Sequence, residues 1–91
     1  MLNSKINPRK VPHKPGVYLF KDKAGQVIYI GKAIDLKSRV SSYFSSVHLR
    51  GVRTKKLVDN IYAVETIIVE SELEALILEA NLIKKYLPKF N

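Results

Sequence analysis

GVYLFKDKAGQVIYIGKA, residues 16–33, decides the fold. Its two β-rich runs, GVYLFKD and VIYIGKA, are joined by Lys23-Ala24-Gly25-Gln26, with glycine where a tight hairpin needs positive φ. The stretch predicts a β-hairpin. Pairing Asp22 with Val27 sets Leu19 opposite Ile30 and Phe20 opposite Tyr29, because strand side chains alternate between faces. On that register Val17, Leu19, Ile28 and Ile30 share the core face. Tyr18, Phe20, Tyr29 and Gly31 share the other, an aromatic face whose glycine leaves room for a close approach.

Downstream, Asp35 is placed to cap a helix running to about Phe44, with Leu36, Val40, Tyr43 and Phe44 as its inward stripe. Arg39 and Tyr43 are neighbours on one turn of it. A basic segment, SSVHLRGVRTKK, leads into a second helix ending near Asn60, and VETIIVE (64–70) is rich in β-branched residues and reads as a third strand. In the last element Ser71 and Glu74 fit a capping box, and the helix continues until Pro88. Leu73, Leu76, Ile77, Ala80, Ile83 and Leu87 form its apolar stripe, yet Ala75, Leu78 and Leu82 lie opposite. A helix apolar nearly all round is expected to be buried between other elements. The sum is a small α+β domain, a three-stranded sheet flanked by helices.

Ninety-one residues allow one domain, and 46% hydrophobic content with no low-complexity segment marks it as globular. Residues 1–14, with three of the four prolines close together up to Pro15, read as an extended basic lead-in. No cysteine is present, so disulfides, thiolate metal sites and thiol nucleophiles are excluded. No apolar run approaches a membrane span and no secretory signal is evident, so the default is a soluble cytoplasmic protein without membrane attachment. The charge is segregated. Residues 1–56 carry 13 Lys and Arg against two Asp, a balance of +11, while residues 57–91 carry three against six, a balance of −3. So basic a segment favours a polyanion partner, nucleic acid ahead of anionic membrane.

Glu79 stands inside LILEANLI, where few positions stay wet. A partly desolvated carboxylate needs a partner. It either reaches solvent or a lysine such as Lys32, or holds a hydrated Mg²⁺, which keeps several waters and takes only one or two carboxylates. Tyr18 and Tyr29 are either plain sheet aromatics or phenols tuned by Lys32 and Arg39, since nearby positive charge favours proton transfer to or through a phenol oxygen. Arg39 would then bring permanent charge to a phosphate. There is no Gly-rich phosphate loop and no acidic cluster for a two-metal nuclease. His13 and His48 read as loop histidines, and Ser41, Ser42, Ser45 and Ser46 have no nearby histidine to activate them.

GVY (16–18), YIG (29–31), a lysine directly after, an arginine farther on and the downstream LEANLIKKYLPKFN together resemble the GIY-YIG nuclease family, in its excision-repair branch, over residues 15–91. Val17 stands where the family name has isoleucine. The resemblance implies a three-stranded antiparallel sheet with flanking helices and a metal-dependent DNA endonuclease module at 15–91. It implies Tyr29 as general base with Tyr18 beside it, Lys32 lowering the proton affinity, and Arg39 stabilising the transition state. Tyr43 would orient nucleophile or phosphate, Asn91 would fix the site's geometry, and Glu79 would be the single protein ligand of one Mg²⁺, with Mn²⁺ able to substitute. It further implies lesion-containing double-stranded DNA as substrate, the 3′ incision of nucleotide excision repair, and a damage-loading helicase subunit as partner through regions outside these 91 residues. The chain is expected to be a fragment or a stand-alone homologue, monomeric by itself. A non-catalytic nucleic-acid-binding module is the competing class, resting on the basic segment and on stacking against the aromatic strand face.

Overall fold

Gly16–Lys21 (GVYLFK) presents large apolar or aromatic side chains to both faces, which suits a strand covered on both sides. A computed structural model describes residues 10–45 and 51–91, and in it this strand, β1, is the centre of a three-stranded sheet. The other elements follow as β2 (Val27–Ala33), α1 (Leu36–Ser45), α2 (Val52–Asn60), β3 (Ala63–Ile68) and α3 (Glu72–Tyr86). The sheet order is β2-β1-β3 and both pairings are antiparallel, as the hairpin and the resemblance implied. Ser46 and His48 lie outside the described residues. Among the described residues no helix is long and apolar enough to cross a membrane.

The sheet separates two cores. Val17, Leu19, Val27 and Ile30 pack with Ala75 of α3; Tyr18, Phe20 and Ile28 pack with Leu36, Val40 and Tyr43 of α1 and Leu57 and Val58 of α2. Full burial of side chains such as Val17, Leu19 and Phe20 contributes about 1.5–3 kcal/mol each. The aromatic face expected to lie open is therefore a second core, with Phe20 fully buried and Tyr18 at 2% exposure. That removes the stacking surface on which the binding-module alternative rested.

The hairpin register is corrected at one point. Leu19 faces Ile30 and Phe20 faces Tyr29, but Lys21, not Asp22, pairs with Val27. Asp22 instead closes the turn: its N–H donates to the Gln26 carbonyl at 2.9 Å, its carbonyl accepts from Gly25, and its Oδ1 accepts from Ala24 and Gln26. Gly25 holds the left-handed φ of 84° that the turn requires. The longer loop, residues 22–26, leaves Ile28 as the extra residue of a bulge, which turns it from the expected core face to the aromatic core.

Local capping follows the sequence. Asp35 Oδ1 accepts from the Ser38 N–H at 3.1 Å, and Ser71 Oγ accepts from the Glu74 N–H at 3.1 Å. The segment before β1 is bound to α1 as well. The Lys14 and Pro12 carbonyls accept from Leu36 and Lys37, His13 Nδ1 lies 2.8 Å from Asp35 Oδ2, and Val11 is buried in the aromatic core. First-turn donors of α1 that a helix leaves unsatisfied are thus met by chain 22 or more residues earlier.

The orientation of α3 departs from expectation. The helix is not enclosed: Leu73 is 65% exposed, Leu76 50% and Ile77 54%, while Ala75 is its buried residue and Leu78, Leu82 and Ile83 pack partly against the core. A small side chain at Ala75 lets the helix approach Val17, Leu19 and Ile30, which the bulky stripe could not do. Ala75→Leu is expected to overpack this contact and cost about 1–3 kcal/mol, whereas Leu76→Ser should stay within about 0.5 kcal/mol. Urea unfolding of the two variants decides; equal midpoints would mean that α3 does not meet the sheet through Ala75.

Candidate active site at the free edge of the hairpin

The site forms where three phenols converge. Tyr18 Oη lies 2.9 Å from Tyr43 Oη, a buried hydrogen bond between β1 and α1. Tyr29 sits 6.2 Å from both rings, centroid to centroid. The close approach anticipated at Gly31 is internal, since a Cβ there would run into the Tyr18 phenol. The glycine makes room for tyrosine, not for ligand.

Burial is the largest cause raising the Tyr18 phenol above its usual range; its bond to Tyr43 and the nearby phenols add to it, and Arg39 opposes. Tyr29 is pushed up to about 12, first by burial, then by hydrogen bonding and charge interaction with Tyr43, then by the Glu79 charge, with Arg39 again opposing. The expected easing of phenol ionisation is therefore not the state of the chain itself. Burial and shared hydrogen bonds outweigh Arg39.

Glu79 is half-buried on α3, close enough for its charge to act on Tyr29, and its carboxylate makes no ion pair or hydrogen bond with a described residue. The alternative pairing with Lys32 is not formed. Among the described residues no cluster of three His, Cys, Asp or Glu occurs. A partly desolvated carboxylate without a described partner suits a hydrated Mg²⁺, which takes only one or two carboxylates, better than a multi-carboxylate site. Lys32 and Arg39 line one cleft of about 420 Å³ with Ile34, Glu72, Leu73 and Leu76. Tyr29 and Tyr43 line a second of about 250 Å³ with Arg53, Thr54, Leu57 and Phe90. Arg53, Thr54 and Phe90 were not singled out in the sequence; only the run VRTKK pointed toward them.

Asn91 stands apart from the phenols and grips the strand that carries Tyr29. Its Oδ1 accepts from the Ile30 N–H and its Nδ2 donates to the Ile30 carbonyl, both at 2.8 Å, while the Phe90 N–H donates to the Ile28 carbonyl at 2.9 Å. This covers the free edge of β2. His13 pairs with Asp35, and Ser42 and Ser45 bond helix carbonyls.

A family model, the UvrC-like GIY-YIG domain, matches residues 14–91. The chain belongs to this family. The UvrC-like GIY-YIG domain here is 58% identical over 83 residues to UvrABC system protein C of Clostridioides difficile, covering 91% of this chain and 14% of that protein. It is 52% identical over 86 residues to the same protein of Methanococcus maripaludis, covering 94% and 16%. The chain thus spans a small fraction of its curated relatives' length. Among solved structures, the GIY-YIG N-terminal endonuclease domain of UvrC from Thermotoga maritima, bound to magnesium as its catalytic divalent cation, matches with a TM-score of 0.81 and 46% identity over 92% of this chain and 90% of that one.

Because Tyr29's folded pKa lies above the ordinary 10.0, its contribution to stability is whole below that value and is lost as pH rises through about 12. Absorbance titration of tyrosinate is expected to show phenols still protonated above pH 10, with one late step missing in Tyr29→Phe. A variant curve that loses an early step instead would contradict the burial of this phenol.

Proposed function

We propose that residues 15–91, braced by residues 10–14, form a metal-dependent DNA endonuclease module that makes the 3′ incision of bacterial nucleotide excision repair in the cytoplasm. Its substrate would be lesion-containing double-stranded DNA, delivered by a damage-loading helicase subunit bound through other regions of a longer protein. The observation that carries the reading is Glu79, a half-buried carboxylate with no ion pair to a described residue, whose charge acts on Tyr29 in the cluster with Tyr18, Tyr43 and Arg39. Family membership and the magnesium-bound Thermotoga maritima domain support it.

Glu79 would hold one Mg²⁺, or Mn²⁺ in its place; when bound, the cation supplies Lewis-acid charge to the phosphodiester. Their placement supports the following roles for the chain's own residues. Arg39 and Lys32, exposed in one cleft, hold the scissile phosphate, and Arg39 meets the negative charge that grows on it as water attacks. Tyr29 is the general base: neutral in the buried cluster, it gives its own proton to solvent once positive charge offsets its burial, and the resulting phenolate oxygen takes up the proton leaving water. Tyr43, anchored by its hydrogen bond to Tyr18, acts on the Tyr29 phenol and keeps its oxygen oriented. Asn91 acts through Ile30, fixing the strand from which Tyr29 projects.

Glu79→Gln is expected to abolish saturable Mn²⁺ binding in titration calorimetry, and Arg39→Ala to slow single-turnover cleavage of lesion DNA by the assembled repair system by about 10²–10³-fold while leaving Mn²⁺ binding intact. Metal-dependent cleavage that survives both changes would refute the assigned site. Asn91→Ala, which frees two backbone groups of Ile30, should cost about 1–3 kcal/mol in urea unfolding and lower the cleavage rate without removing the metal. Unchanged stability and rate would deny it a positioning role.

A further inference from the structure

The two clefts that carry the site residues differ in chemistry. The one holding Lys32 and Arg39 continues into Glu72 and the apolar side chains of Ile34, Leu73 and Leu76, a poor path for further phosphates. The one holding Tyr29 and Tyr43 continues over Arg53 and Phe90 into an adjoining cleft of about 420 Å³ lined by Arg53, Lys56 and Lys89. No carboxylate lines either of these two.

The cations along this side are available. Lys55 is paired with Asp59 at 3.0 Å, but Arg53, Lys56 and Lys89 form no ion pair with a described carboxylate. Arg53 uses one donor, Nη2, on the Phe90 carbonyl at 3.1 Å. That bond fixes the guanidinium beside the turn that covers β2 and leaves the rest of its fork for an anion. Lys89 Nζ lies 5.6 Å from the Phe90 ring centre, on the same turn.

From this we infer that the DNA backbone leaves the scissile position on one side only, across Tyr29 and Tyr43 and between α2 and the C-terminal turn, with Arg53, Lys56 and Lys89 binding successive phosphates. The inference rests on the endonuclease reading and adds the path of the substrate. It assigns a backbone-positioning function, without base readout, to residues that take no part in bond breaking.

The experiment is fluorescence anisotropy of a labelled 20-base-pair duplex with the full chain in EDTA, where no cleavage occurs, over a range of salt concentrations. Each phosphate contact adds about 0.9 to the slope of log affinity against log salt. Arg53→Gln with Lys56→Gln should therefore flatten the slope by about 1.8, and Lys56→Gln alone, which breaks no backbone bond, by about 0.9. Lys23→Gln with Lys84→Gln, equal in charge but lining neither cleft, should change it by less than the track variants. Equal flattening by both pairs would mean diffuse attraction and overturn the track, as would wild-type affinity independent of salt. An unchanged slope in the Arg53/Lys56 variant, alongside loss of Mn²⁺ binding in Glu79→Gln, would sink the track and leave the nuclease reading standing. Retained Mn²⁺ binding in Glu79→Gln with a flattened slope would do the reverse.

Discussion

The hydroxyl of Tyr18 lies in the interior of a sheet covered on both faces, and a buried hydroxyl without a partner costs about 1–3 kcal/mol. Tyr43 answers it from α1 at 2.9 Å. Much else is arranged around that bond. Gly31 lacks a side chain because the Tyr18 ring occupies its space, and α1 must stand where Tyr43 can reach inward. The helix is held there by Asp35, by the Pro12 and Lys14 carbonyls and by Leu36 and Val40. Arg39, one turn from Tyr43, is positioned by the same restraints.

The same bond sets the electrostatics. Hydrogen bonds shared among neutral phenols stabilise the protonated forms, and burial reinforces them, so Arg39 alone does not make the cluster basic. Glu79 adds negative charge near Tyr29. A phenol cluster of this kind resists ionisation.

Features governed by neighbours in sequence were legible. The Gly25 turn, the Asp35 and Ser71 caps, the inward stripe of α1 and the pairing of Leu19 with Ile30 follow from spacing and residue type. The Ile28 bulge was not legible, because Asp22 closes its loop earlier than the simplest alternation assumes and Phe90, 62 positions downstream of Ile28, takes the exposed carbonyl. Nor did periodicity orient α3. With apolar residues on every side the pattern has no preferred direction, and closeness at Ala75, a three-dimensional condition, chose the face. In the site, the unusual setting of Glu79 could be read from its apolar neighbours, while the grouping of Tyr18, Tyr29, Tyr43 and Arg39 came from family resemblance. Arg53 left only a diffuse basic run as its trace.

Asn91 meets Ile30 across 61 positions of sequence, and a chain emerging from the ribosome in order presents these partners at very different times. The hairpin can pair as soon as it is exposed, since its contacts are local. The outer edge of its second strand waits for the last turn of the domain. A nascent chain therefore carries tyrosines and arginine without a finished cleft until the turn of residues 88–91 has been synthesised. Linking the strand that carries Tyr29 to Asn91 makes the closing of a distant turn a condition for assembling the phenol cluster's edge.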